Sequence, residues 1–104
     1  MEAEIQSDRI ELRRTNDEKA PLVQRLNRIE GQVRGVRAMI EGDRYCQDEI
    51  LQINAITAGL REVALLIIGQ HVDEGLKIAE QVQHKAVATE DIRKVLRSAM
   101  KLCD

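Results

Sequence analysis

The sequence predicts an all-α domain of three helices, of which the central one is long. Apolar residues recur every three or four positions along most of the chain, which is the period of a helix that faces a core. Charged residues make up 33% of the 104 residues, and Pro21 is the single proline. This composition is typical of helical and coiled-coil proteins. Tyr45 is the one aromatic residue, so aliphatic side chains must fill the core.

The first 16 residues are polar and lack a helical apolar repeat. We interpret residues 1–16 as a mobile N-terminal arm, with a short helical turn from Ile5 to Leu12 as the alternative, and residues 17–104 as the folded domain. No basic start is followed by an apolar stretch, so no signal peptide is predicted. The longest apolar run, residues 63–69, is far shorter than the roughly 18 residues that a membrane span requires. We therefore expect a cytoplasmic protein without a membrane partner.

The first helix is predicted to begin at an N-cap at Asn16 or Asp17 and to end at the turn-forming residues 41–43. Its apolar residues repeat at alternating spacings of four and three. They are Leu22, Leu26, Ile29, Val33, Val36 and Ile40. This single seam predicts a helix that packs through one face.

The second helix is expected to run from residues 45–48 to Gln83 or His84, because no proline interrupts it. Between residues 63 and 68 it is apolar on every side, so it must be buried on every side. The first helix covers one side, and the third helix is too short to cover the rest. The sequence therefore predicts that the chain associates with copies of itself.

The third helix is predicted to begin at an N-cap at Thr89, with acidic residues in its first turn. An apolar face follows between residues 92 and 102. We expect His84 to cap the C-terminal end of the long helix, and Cys103 to have no chemical role.

Cys46 and His71 are the candidate ligand-binding residues. They are 25 positions apart, which is about 37 Å along one helix, so they cannot meet within a single chain. If they share a site, a second copy must supply one of them, and an antiparallel pairing of two long helices around Leu60 would do so. A thiolate and an imidazole suit Cu(I), Zn(II) or Ni(II). The alternative is a buried, inert Cys46 and a solvated His71.

Two protein ligands are too few for a closed tetrahedral site. Glu74, three residues after His71, is the best placed additional group on the same helix.

The sequence shows no catalytic motif. The glycines are dispersed, and no linked nucleophile, base and orienting group is visible. We therefore expect a protein that is not an enzyme.

The first helix carries a local excess of positive charge. Residues 19–37 contain five basic residues against one acid, in a chain with a formal net charge of −2. Arg25, Arg28 and Gln32 fall on one stripe beside the apolar seam, whereas Arg34 and Arg37 fall on the opposite flank. Clustered positive charge of this kind binds DNA phosphates, although a solvated helix face is the alternative. No helix-turn-helix or other standard DNA-binding motif is visible, so recognition of the operator is expected to use DNA shape and backbone as well as bases.

Several of these segments together resemble the copper-sensitive operon repressor family, CsoR, with its nickel/cobalt and formaldehyde relatives RcnR and FrmR. The resemblance rests on RLNRIEGQVRGV at residues 25–36, on Tyr45-Cys46, on ILQINA at residues 50–55 and on His71. It implies an antiparallel dimeric four-helix bundle that assembles to a dimer of dimers. It also implies a repressor that binds double-stranded operator DNA and releases it when an effector occupies an intersubunit site.

The resemblance favours Cu(I) as the effector, held by Cys46 and His71, with Tyr45 and Glu74 behind them. The copper-type third ligand, four residues after the histidine, is replaced here by Gly75. A formaldehyde- or other electrophile-sensing repressor of the same fold is therefore an alternative. A metal-binding helical bundle without a DNA function is an alternative of another class.

Overall fold

The computed structural model describes residues 1–103, with only the backbone of Cys103; the prediction that this side chain has no chemical role lies outside the described part. It contains three α-helices and a two-stranded hairpin, and it is elongated, 59 Å along its longest axis. The elements are β1 (Glu2–Gln6), β2 (Arg9–Arg13), α1 (Asn16–Glu41), α2 (Cys46–Ala79) and α3 (Lys85–Met100), with single 3-10 turns at Val82–His84 and Lys101–Cys103. The prediction of three helices with a long central one is confirmed.

Helix α1 begins one residue earlier than its predicted caps. Thr15 is the N-cap: its hydroxyl accepts a hydrogen bond from the Glu18 backbone N–H (3.2 Å), and the Glu18 carboxylate accepts one from the Thr15 N–H (2.9 Å). This reciprocal pair is a capping box. The helix ends at Gly42, and Asp43 turns the chain with a left-handed backbone (φ 55°).

Helix α1 packs antiparallel on α2 through part of its apolar seam, since Leu26, Val33 and Ile40 remain 41%, 51% and 57% exposed in the single chain. Leu22, Ile29 and Val63 form the buried cluster between the two helices. Gly59 lets them approach closely, because a Cβ atom at that position would lie 3.3 Å from Cδ1 of Ile29.

The predicted boundary between the second and third helices is wrong. Helix α2 ends at Ala79, Gln81 is extended (φ −82°, ψ 118°), and α3 begins at Lys85. Thr89 lies inside α3, where its hydroxyl donates to the carbonyl oxygen of Lys85 (2.7 Å). A threonine can bond back to the preceding helical turn as well as cap a helix, which explains the error. His84 directly precedes α3 and does not cap α2.

The N-terminal region departs from the all-α prediction, because the segment expected to be an arm without regular structure forms an antiparallel hairpin. Gln6 pairs with Arg9 around a two-residue turn that contains Ser7 in a left-handed conformation (φ 60°). Apolar residues alternate with charged ones along both strands, as expected for a half-buried hairpin. Residues Ala3, Ile5, Ile10 and Leu12 are the less exposed set. The hairpin lies against α2 and α3.

Helix α2 is only partly covered within one chain. Val63 and Gly75 are buried, but Leu51, Leu60 and Leu65 are each about half exposed. By length and composition α2 could also cross a membrane, since its most apolar 18 residues have a mean hydropathy of 1.5. The central helix of a soluble oligomer has the same composition, so this feature does not distinguish the two environments.

Candidate functional site

His71 is held by an acid from the neighbouring helix. Its Nε2 atom lies 2.7 Å from Oδ2 of Asp91 on α3, and the two side chains are only 13% and 8% exposed. Because a carboxylate can only accept, Nε2 is the nitrogen that carries the proton. In the neutral ring, the other nitrogen, Nδ1, then has the lone pair that could bind an ion.

The same oxygen of Asp91 accepts a second hydrogen bond. The backbone N–H of Ile10, on strand β2, donates to Oδ2 over 3.2 Å. Asp91 is buried, and two donors compensate the cost of burying its charge. The acid therefore connects the hairpin, α3 and the imidazole of His71 on α2.

Cys46 is the first residue of α2, and its thiol is free and exposed. Tyr45, the N-cap residue before it, is 69% exposed. The continuous helix between Cys46 and His71 confirms that the two cannot meet within one chain. The alternative of a buried Cys46 and a solvated His71 is wrong, since the thiol is exposed and the imidazole is mostly buried.

The chain alone does not assemble a metal-binding cluster. Within residues 1–103, no three side chains of histidine, cysteine, aspartate or glutamate are close enough to hold one ion. Glu74, the predicted additional group, forms an ion pair with Lys77 (3.3 Å). Within the described residues of one chain, Cys46 and His71 thus belong to no such group.

Gly75, one turn after His71, is packed closely against Ile92 and Ile10. A Cβ atom at this position would lie 2.9 Å from Cγ1 of Ile92 and 3.0 Å from Cδ1 of Ile10. Distances this short require the neighbours to move. The packing around Gly75 thus leaves no room for a larger side chain.

The predicted DNA-contacting residues divide as their helical spacing suggests. Arg25, Arg28 and Gln32 line one shallow groove of α1, together with Ala55 and Gly59 of α2. Both arginines are exposed, and neither forms an ion pair with any carboxylate in residues 1–103.

The other two predicted arginines do not line that groove. The Arg37 guanidinium pairs with Glu41 over 3.6 Å. The Arg34 side chain lies back along α1, 3.7 Å from the position that a Cβ atom of Gly31 would take. Arg25, Arg28 and Gln32 therefore form a cationic groove in which neither guanidinium group pairs with a carboxylate of the described residues.

Comparison with known proteins identifies the family. A family model described as a metal-sensitive transcriptional repressor matches residues 18–101. The chain belongs to this family. The resemblance seen in the sequence is thereby confirmed, and so is the expectation of a regulator instead of an enzyme.

Proteins with similar sequences include copper sensors. The chain is 47% identical over 58 residues to the copper-sensing transcriptional repressor CsoR of Bacillus subtilis, and 49% identical over 55 residues to the copper-sensing repressor RicR of Mycobacterium tuberculosis. These matches cover 56% and 53% of this chain and 57% of each relative. The matched segment thus spans little more than half the length of either relative.

Solved structures share the fold over a longer range. The copper-sensing repressor CsoR with Cu(I) from Geobacillus thermodenitrificans matches with a TM-score of 0.74 and 32% identity, over 90% of this chain and 95% of that one. The nickel-responsive regulator InrS matches with a TM-score of 0.56 and 30% identity, over 90% and 94%.

Sequence reasoning missed Asp91, which it treated only as an acid in the first turn of the third helix. One signal was available. Asp91 falls among Ala88, Ile92 and Val95, the apolar face of α3, and an acid on a core-facing stripe requires a buried partner. His71 is that partner.

Proposed function

We propose that this repressor binds operator DNA in its ligand-free form and releases it when Cu(I) binds between two chains, at Cys46 of one and His71 of the other. It acts in the cytoplasm as a homodimer or a dimer of dimers. The observation that carries the proposal is the His71–Asp91 hydrogen bond. An acid that fixes the protonated nitrogen of a histidine orients the other nitrogen toward a ligand and raises its basicity.

The donor set fits Cu(I). A thiolate sulfur and an imidazole nitrogen are the soft ligands that favour this ion over hard cations. Cys46 offers an exposed thiol, and His71 offers Nδ1. When bound, the ion would join the two chains through one bond to each. The similarity to a Cu(I)-bound CsoR structure supports the same ion.

Association of two chains is supported by the surface of α2. In one chain this helix exposes large aliphatic side chains along most of its length, and an exposed apolar patch of this kind marks an interaction surface. The exposed set is Ile50, Leu51, Ile53, Leu60, Leu65, Ile67 and Leu76. An antiparallel pairing of α2 helices around Leu60 would cover the part of this set that shares a face with Leu60, and would bring Cys46 toward the partner's His71.

DNA binding is assigned to the groove of α1. Arg25 and Arg28 supply charge for phosphates, and Gln32 supplies an amide for a base edge or the backbone. Arg34 and Arg37 contribute in support from the opposite flank. Because α1 packs on α2, a change in how two α2 helices cross alters the spacing of the arginines from the two chains. A hundredfold loss of DNA affinity requires the effector to prefer the non-binding arrangement by about 2.7 kcal/mol.

The test is a DNA-release assay with Cu(I) alone as the effector. A labelled duplex is first selected from a random pool by the metal-free protein, and its anisotropy is then followed as Cu(I) is added. Wild type should release the duplex, and Cys46→Ala should bind it but keep it bound. Cys103→Ala, at the chain's other cysteine, is the matched control and should respond as wild type does. Full release by Cys46→Ala would contradict the proposal.

The same assay separates the alternatives. Release by formaldehyde but not by Cu(I) would assign the site to an electrophile that reacts with the exposed thiol. Cu(I) binding that depends on Cys46, without selection of any duplex, would indicate a metal-binding bundle with no DNA function.

A further inference from the structure

The N-terminal hairpin and His71 both form a hydrogen bond to the same carboxylate oxygen of Asp91. Oδ2 of Asp91 accepts from His71 Nε2 over 2.7 Å and from the Ile10 N–H over 3.2 Å. In an antiparallel pair, alternate residues direct their N–H groups away from the partner strand. Ile10 directs its N–H to Asp91, so the carboxylate that orients the imidazole is itself oriented by the hairpin.

The side chain of Ile10 covers the same region. It is 5% exposed, and its Cδ1 atom would lie 3.0 Å from a Cβ atom at position 75. Gly75 is one helical turn from His71, so Ile10 closes the face of α2 that adjoins the imidazole. Backbone and side chain of one residue thus act on the two sides of His71.

Polar contacts also attach the hairpin near its two ends. Arg14, just after β2, donates from Nε to Oε1 of Gln70 over 2.7 Å, and Asp8 in the turn pairs with Lys94 over 3.3 Å. The Asp8–Lys94 pair is exposed, and exposed pairs contribute little stability. Ile10, which is buried, lies between these two attachments.

We propose that Ile10 is a positioning residue of the effector site, acting on His71 through Asp91, and that hairpin docking and Cu(I) binding reinforce each other. This inference depends on the proposed function, since it takes His71 as a ligand. A docked hairpin fixes Oδ2, which keeps the proton on Nε2 and leaves Nδ1 free. By linkage, the ion that binds Nδ1 must stabilise the docked hairpin by the same factor.

The decisive variant is Ile10→Pro in the full-length protein. Proline removes the N–H while remaining acceptable where a strand N–H points away from its partner strand. Cu(I) affinity is measured by competition with a chromophoric Cu(I) chelator, and the protonated nitrogen of His71 is read from its ¹⁵N chemical shifts. We expect affinity to fall about tenfold or more, and the ring to become a mixture of both tautomers.

Two controls separate positioning from packing. Ile10→Val keeps the N–H and should retain both the affinity and the tautomer of wild type. Leu12→Ala removes an apolar side chain from the same face of the hairpin and leaves the Ile10 N–H in place. It should lower the melting temperature without changing the tautomer of His71.

A second measurement uses the wild-type protein, so that it does not depend on how Ile10→Pro folds. Addition of Cu(I) should slow hydrogen exchange at the Ile10 amide. Unchanged exchange, or unchanged Cu(I) affinity in a folded Ile10→Pro variant, would overturn the inference while leaving the proposed function intact. A wild-type protein that binds no Cu(I) would instead overturn the proposed function.

Discussion

His71, in the last third of α2, and Asp91, near the middle of α3, form a hydrogen-bonded pair that is 20 residues apart in the chain and joined over 2.7 Å in space. Oδ2 of Asp91 accepts from both His71 Nε2 and the Ile10 N–H, whereas Nδ1 of His71 forms no hydrogen bond within the described residues. This hydrogen bond explains how the histidine side chain can be largely buried.

The pair gives the first prediction. Asp91→Asn retains the shape of the side chain but removes the carboxylate that accepts the hydrogen bond from Nε2 of His71. Cu(I) affinity should fall between about tenfold and a hundredfold, while the DNA affinity of the metal-free protein stays unchanged. Glu90→Gln, at the exposed neighbouring position that pairs with Arg93 and Arg97, should leave Cu(I) affinity unaltered. Equal losses in both variants would show that general charge, and not the hydrogen bond, governs affinity.

The second prediction concerns the close packing of Ile92 and Ile10 against Gly75. Alanine is the better helix former by roughly 1 kcal/mol, but its Cβ atom would collide with Ile92 and Ile10, and overpacking typically costs about 1–3 kcal/mol. Gly75→Ala should therefore lower the free energy of unfolding by about 1 kcal/mol in urea titrations. At Gly35 no atom lies within 4 Å of the added Cβ, so Gly35→Ala should raise it. A higher free energy of unfolding in both variants would mean that Ile92 and Ile10 move aside easily.

Much of the helical architecture could be predicted from the sequence. The alternating spacing of four and three residues located the seam of α1, and Leu22 and Ile29 are indeed buried against α2. The hairpin could not be predicted in the same way. Its strands are short, and its turn, Ser7-Asp8, lacks the glycine that marks most two-residue hairpins.

The candidate site was predictable only in part. Cys46 and His71 were found because few side chains here bind soft ligands, and the distance along one helix required a second chain. The hydrogen bond from His71 to Asp91 could not be predicted, because it depends on where α3 begins. That boundary was misplaced because Thr89 was interpreted as the N-cap. The contribution of Ile10 is a backbone N–H, which every residue except proline has, so no sequence pattern could reveal it.

The third prediction concerns DNA. Arg25→Ala should weaken binding to the selected duplex and reduce the salt dependence of the binding constant by about one ion, because one phosphate contact is lost. Arg28→Ala should act in the same direction. Arg93→Ala is the matched control, since this exposed arginine lies on α3 and pairs with Glu90. Unchanged affinity in both α1 variants would refute the assignment of the groove.

The fourth prediction follows from the capping box of α1. The Thr15 backbone N–H, followed by the chain's amino group, holds the pKa of Glu18 at about 2, below its ordinary value of 4.5. A lowered folded-state pKa means that the ionised carboxylate stabilises the fold above pH 4.5, and that this contribution is lost as the pH falls toward 2. Wild type should therefore be more stable than Glu18→Gln near neutral pH in urea titrations. The difference should shrink in acid, and a constant difference would contradict the role of the charge.

The fifth prediction tests whether two chains share the effector site. In an antiparallel dimer each chain contributes Cys46 to one site and His71 to the other, so a Cys46→Ala chain and a His71→Ala chain are defective in complementary ways. When the two are unfolded and refolded together, each mixed dimer should contain one complete site and one that lacks both ligands. Cu(I) titration should then find tight binding of one ion per mixed dimer, whereas either variant alone binds weakly.

The matched control refolds Cys46→Ala with a chain that carries both substitutions, because this mixture contains no Cys46 thiol and should not recover tight binding. Sedimentation velocity of every sample establishes that the chains associate, as the exposed apolar face of α2 requires. If Cys46 and His71 acted in separate sites, mixing the two single variants would restore nothing beyond the sum of the parts. Recovery of one site per mixed dimer can arise only if the thiol of one chain and the imidazole of the other meet, since 25 residues of continuous helix separate them within each chain.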